Sequence, residues 1–237
     1  MNARAGRSLA GRSLAGLTVA IATCLVLLGL AVAVFFNRWF VAFEQNRSGA
    51  AAIAGYTPDE LRRATDGILG DLYLGSSDFS VTVRGSPVLD DRERAHMRDV
   101  RSVFAGFWLA VALAAALLAV ARVRSRGAAW FWRAVAGGAT ALGIVVVGLG
   151  LVATVAFDAL FELLHRLLFP GGTYLFDPRT ERLVQLFPFA FWFETSILLA
   201  GTIVVLAVAV RVIARRRLGG TRGGFSGPTP LPVERAR

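Results

Sequence analysis

The apolar positions gather into four long runs, Leu14 to Phe36, Val103 to Ala121, Ala134 to Phe157 and Phe189 to Val210. A helix needs about 20 such residues to cross a bilayer, so each run predicts a transmembrane span. Only the fourth contains an ionisable residue, Glu194, and its place a few residues in reads as interfacial rather than catalytic. Phe35, Phe36, Trp39, Phe40 and Phe43 close the first run as an aromatic belt, and Trp130, Phe131 and Trp132 read as a second interfacial anchor before the third.

One polar stretch, Glu44 to Arg101, is long enough to form a small domain. Its TPDE (Thr57–Glu60) is a capping box with proline at the first helical position, and Leu61, Ala64, Ile68 and Leu72 follow at helical spacing, predicting a helix to Leu74. FSVTV (Phe79–Val83) alternates as a strand and RGSP (Arg84–Pro87) is a turn, which predicts a hairpin. DDRE (Asp90–Glu93) is a second capped helix start, and the helix it opens meets no breaker before the second span. Gly171, Gly172 and Asp177-Pro178 make 171–182 a loop, and LVQLFP (Leu183–Pro188) returns the chain to the bilayer.

The expected fold class is therefore an all-α integral membrane protein: four transmembrane helices with a small α+β extracytoplasmic domain between spans 1 and 2. The divisions are a tail (1–13), the first span with its belt (14–43), the domain (44–101), the second span (102–121), a loop (122–133), the third span (134–157), a polar segment (158–188), the fourth span (189–210) and a basic tail (211–237). The AGRSLAGRSLAG duplication of Ala5 to Gly16 is low-complexity tail, and the Gly, Pro and Arg rich end after Arg217 predicts disorder.

Composition agrees, at 55% hydrophobic with a mean hydropathy of +0.58. Charge adds the orientation. The chain has no lysine; fourteen arginines against Glu234 give +13 on the two tails and the 122–133 loop, and the remainder carries −3, which together make the net +10. Arginine-rich short segments stay cytoplasmic, so both termini are expected inside a plasma membrane. The excess is juxtamembrane, which explains it by topology and anionic lipid and argues against nucleic acid. Cys24, the single cysteine, lies within the first span and is read as a small apolar filler.

Candidate chemistry concentrates between Phe157 and Trp192. As helix, Asp158, Glu162 and His165 fall on one face. The other histidine, His96, is flanked three residues either side by Glu93 and Asp99. At about 1.5 Å per residue, His96 stands about 10 Å above Val103 and His165 about 12 Å beyond Phe157, so the two imidazoles can share a depth at the lipid headgroups. The competing reading is solvated helix ends, with Arg92, Arg94, Arg98 and Arg166 forming ion pairs. HExxH, paired Cys ligands, G-x-S-x-G and a P-loop are missing from the sequence; no metal and no cofactor is assigned.

HMRDV (His96–Val100) preceded by Glu93, with FDALFELLHRLLF (Phe157–Phe169), YLFDP (Tyr174–Pro178) and LVQLFP, resembles the four-span family of lipoprotein intramolecular transacylases of Gram-positive bacteria, Lit. Tyr174 stands where that family has Trp, and Glu181 where it has Asp. The resemblance implies an acyltransferase of diacylglyceryl lipoproteins and membrane lipid: the sn-2 acyl chain of the modified N-terminal cysteine moves to that cysteine's own amine, giving the lyso form. It implies His96 and His165 as the catalytic pair, with Glu93, Asp99 and Asp158 fixing tautomers and Tyr174 and Asp177 shaping the loop over the cleft. Two other classes remain open at this point: a membrane binding or assembly factor using the polar domain, and a pH or metal sensor using the same histidines. The oligomeric state is unassigned.

Overall fold

A computed structural model describes residues 3–220, with side chains from 14 to 219. The basic tail beyond Gly220 lies outside the described residues. Four helices are long and apolar enough to cross a membrane: α1 (Ala3–Phe35), α5 (Asp91–Arg124), α6 (Ala129–Leu168) and α8 (Phe189–Gly220). Between α1 and α5 lie α2 (Arg38–Arg47), α3 (Ala50–Ala54), α4 (Pro58–Tyr73) and the strands β1 (Thr82–Val83) and β2 (Ser86–Pro87); α7 (Arg182–Leu186) precedes α8. The chain is a mostly helical, multi-pass membrane protein.

Close backbone approach sets the bundle. At Gly138 an added Cβ would lie 2.4 Å from the Ala20 carbonyl oxygen, and at Gly29 it would lie 2.6 Å from Val111. Small residues thus let α1 touch both α6 and α5, the device that replaces hydrophobic drive between helices in lipid. Cys24 sits at the first of these crossings, its thiol donating to the Gly138 carbonyl at 3.3 Å. α6 packs chiefly on α8 and α1, while α5 and α6 barely touch along their length.

Several sequence expectations change in detail. The aromatic belt does not continue α1, because Asn37 ends one helix and starts the next: its amide donates to the Val34 carbonyl and its oxygen accepts from the Phe40 N–H. Phe131 is buried against Val19, Val135 and Ala214 rather than anchored at an interface, since Trp130–Trp132 form the first turn of α6 and the connecting loop shrinks to 125–128. The α+β domain is mainly helical. Its strand run is cut short because Phe79 takes φ 52° and its N–H goes to the Asp71 carboxylate, leaving two residues per strand around an Arg84-Gly85 turn with both φ positive.

The two predicted capping boxes form, Thr57 with Glu60 and Asp90 with Glu93. Leu61, Ala64, Ile68 and Leu72 are buried together with Phe79, Leu89 and Met97, and with Leu183 and Leu186 of α7. Gln45 ties this lobe to the end of the chain, donating to the Leu186 carbonyl at 2.9 Å and accepting from Thr65 at 3.0 Å. Glu194 is held from the lobe as well, by Arg47 at 2.6 Å beside the fully buried Glu44.

Replacing Gly138 by leucine should lower the thermal unfolding midpoint in detergent, since overpacking a backbone crossing costs about 1–3 kcal/mol. The same replacement at Gly148, where an added Cβ meets nothing within 4 Å, should leave it nearly unchanged.

Candidate active site

The capped start at Asp90 makes α5 one uninterrupted rod, and its 34 residues rise about 51 Å against a hydrocarbon layer of about 30 Å. His96 therefore stands above its span, 102–121. α6 overruns its span in the same way, with non-helical backbone at Ala156 (φ −142°, ψ 40°) at the top of the membrane-spanning part. Past that break, the last turns of α6 carry Phe161 and His165 toward α5, with Phe169 capping the helix end.

The two imidazoles, 69 residues apart in sequence, come together with ring centroids 6.3 Å apart and planes 26° from parallel. His96 is 5% exposed, and His165 is half-buried. Aromatic rings enclose them: Phe169 lies 4.8 Å from His96 and 5.7 Å from His165, Phe176 lies 5.4 Å from His96, and Phe161 and Tyr174 lie 4.1 and 5.3 Å from His165. Burial pushes the His96 pKa down to about 4, reinforced by the neighbouring His165, with Asp99 opposing. Burial also lowers His165, against the lift from the Phe161 carbonyl. Both rings are thus neutral near pH 7.

Their tautomers follow from their partners. The His165 Nδ1 lies 2.8 Å from the Phe161 carbonyl oxygen, which can only accept, so Nδ1 carries the proton. The His96 Nδ1 lies 3.4 Å from the Thr173 hydroxyl, and that hydroxyl gives its own proton to Asp99 at 3.1 Å. Thr173 can then only accept from His96. Each ring consequently presents Nε2 as a lone pair, the form a general base requires.

The remaining named residues divide. Asp99 acts on His96 through Thr173. Tyr174 packs on His165. Glu93 does not touch His96: both of its oxygens accept backbone protons, from Asp90 at 2.8 Å and from Leu183 at 2.6 Å. Glu162 pairs with Arg166, and Asp158 is exposed with no hydrogen bond to either imidazole among the described residues. Asp177 braces its own loop, accepting from the Arg179 N–H at 2.9 Å. Glu181 receives the Asp177 N–H and pairs with Arg92, whose guanidinium lies 5.1 Å from the Phe176 ring. Sequence reasoning missed Thr173, Phe169 and Phe176; a hydroxyl next to a glycine turn and phenylalanines beside an apolar run carry no spacing that marks them.

The structure thus belongs to the class of four-helix membrane proteins with a buried histidine pair beneath a loop. A family model, lipoprotein intramolecular transacylase Lit, matches residues 16–192, and the chain belongs to that family. No curated protein matches the sequence. The fold is similar to the in meso structure of the membrane integral lipoprotein intramolecular transacylase Lit from Bacillus cereus, with TM-score 0.75 and 20% identity over 89% of this chain and 97% of that one. It is also similar to two structures of that protein with one histidine replaced, by arginine (TM-score 0.73, 19% identity, 92% and 98% covered) and by alanine (0.74, 19%, 92% and 99%).

Thr173→Val keeps the shape and removes the acceptor for His96. Turnover should fall about 10- to 100-fold, the cost found when a group that orients a metal-bound imidazole is lost, with KM little changed and recovery in Thr173→Ser. Steady-state kinetics of the two variants check this.

Proposed function

We propose that this chain moves the sn-2 acyl chain of a diacylglyceryl-modified N-terminal cysteine to that cysteine's α-amino group, leaving a lyso-form lipoprotein. The observation that supports it most is the pair of imidazoles with centroids 6.3 Å apart inside an aromatic niche, each with its Nδ1 turned to an oxygen so that Nε2 is left to act as a base. An α-ammonium loses two protons on becoming an amide, and the niche offers two acceptors. In our reading one Nε2 frees the amine lone pair. The nitrogen then attacks the ester carbonyl; as the tetrahedral adduct collapses, the C–O bond breaks, one proton goes to the departing glyceryl oxygen, and the second leaves to water.

His96 is the better placed first base, because Asp99 acting through Thr173 favours the imidazolium that forms. His165 takes the second role. Glu93 and Asp177 serve as positioning groups for the loop, and Tyr174 as part of the wall. Ester and amine belong to one tethered molecule, so holding them together supplies much of the rate, and the aromatic wall keeps water from competing for the ester. The lobe and niche face outward and both termini lie inside, as the arginine distribution favours.

His96→Ala and His165→Ala should each abolish the N-acyl, lyso-form product, read by mass spectrometry of lipoprotein N-termini from expressing cells; undiminished product from both variants refutes the reading. A pH profile adds a second check. The His96 pKa lies below that of a free imidazole, so this base stays unprotonated well under pH 6.5; in His165→Gln, any residual kcat/KM should show no loss at pH 6.5 and fall only toward about 4.

A further inference from the structure

Between α6 and α8 runs an apolar groove of about 360 Å3, walled by Leu149, Gly150, Ala153 and Phe157 on one side and by Leu199 and Ile203 on the other, with Ser196 its one hydroxyl. Phe161, whose ring lies 4.1 Å from His165 and whose carbonyl holds the His165 Nδ1 proton, lines its outer part together with Leu164 and Leu167. The groove therefore shares Phe161 as a wall with the histidine niche. It descends along α6 to Val146, about 22 Å below Phe161, whereas one leaflet of hydrocarbon is about 15 Å deep.

We propose that this groove seats the acyl chain that is transferred, and that Gly150 sets the length of chain accepted. The inference rests on the transacylase reading above. A peptide is a poor occupant, since the walls offer one hydroxyl to satisfy its backbone, and unsatisfied backbone is costly at membrane depth. A single alkyl chain needs no polar partners. Gly150 leaves the floor open: a Cβ placed there meets no atom within 4 Å. A larger side chain at this position would occupy the space of the chain's lower methylenes without displacing protein.

The test uses the full-length protein in phospholipid nanodiscs and a synthetic diacylglyceryl lipopeptide carrying a diazirine near the end of its sn-2 hexadecanoyl chain. Cross-links should fall on groove residues of α6 and α8 and disappear in Gly150→Phe. A phosphatidylglycerol with the same labelled chain, at equal mole fraction, should label the groove at least about tenfold less; equal labelling means bilayer lipid only and overturns the proposal. In turnover, Gly150→Phe should lower kcat/KM for the hexadecanoyl substrate about tenfold, as expected for losing the burial of about two methylenes, and leave an octanoyl substrate unchanged. Gly148→Phe, on the same helix outside the groove, should change neither. No effect of Gly150→Phe on the long chain, or equal losses on both chain lengths in Gly150→Phe and the milder Gly150→Ala, overturns the proposal. Should the wild type form no N-acyl product, the transacylase reading fails, while the cross-linking arm still decides the groove.

Discussion

The site depends on where one buried carboxylate spends its oxygens. Glu93, 1% exposed, closes the capping box at Asp90 and at the same time receives the Leu183 N–H. Burial pushes its pKa up, and the two backbone donors work against that rise. A carboxylate accepting two backbone protons is strongly held, and these two come from Asp90 and Leu183, on segments far apart in the chain. The head of α5, which carries His96 one turn further on, is thereby fixed to the segment that closes the loop over the niche. Removing either contact would leave a buried acceptor unsatisfied, so the loop and the helix start stand or fall together.

That clamp explains how a small set of polar groups can work at the edge of a bilayer. The loop brings Thr173 to His96 and Tyr174 to His165, and the Arg92 pair with Glu181 keeps Phe176 over the His96 ring. His96 is buried and His165 half-buried among rings, which lowers both pKa values and leaves hydrogen bonding to dictate the tautomer. The one carboxylate linked to the pair, Asp99, reaches His96 at one remove through the Thr173 hydroxyl.

Much of this was legible in the sequence because it follows from length and period. Four apolar runs, two capping boxes and the unbroken stretch from Glu93 into the second span place His96 at a definite height, and the same count places His165. What the sequence hid depends on single torsions and on contacts across the fold. Asn37 splits the expected first element because one amide caps two helices, and Phe79 ends a strand because its backbone turns left-handed. Glu93 looked like a partner for the histidine three residues on, whereas a glutamate at the third position of a capped helix already has a backbone proton to accept. Asp158 looked aligned with His165, but the lower face of that helical segment opens outward. Thr173 gave no signal, since its role exists only once the loop has folded over α5.

The unbroken course of α5 has a further consequence. Because one stiff rod joins the lipid-embedded part to the ring-lined niche, the elevation of His96 above the acyl region is set by the thickness of the host bilayer and not by any hinge. A thicker sheet of lipid would draw the niche down among the chains, and a thinner one would lift it toward water. Such a protein is matched to its membrane as a float is matched to the density of its liquid, and hydrophobic mismatch becomes a determinant of where the niche sits as well as of tilt.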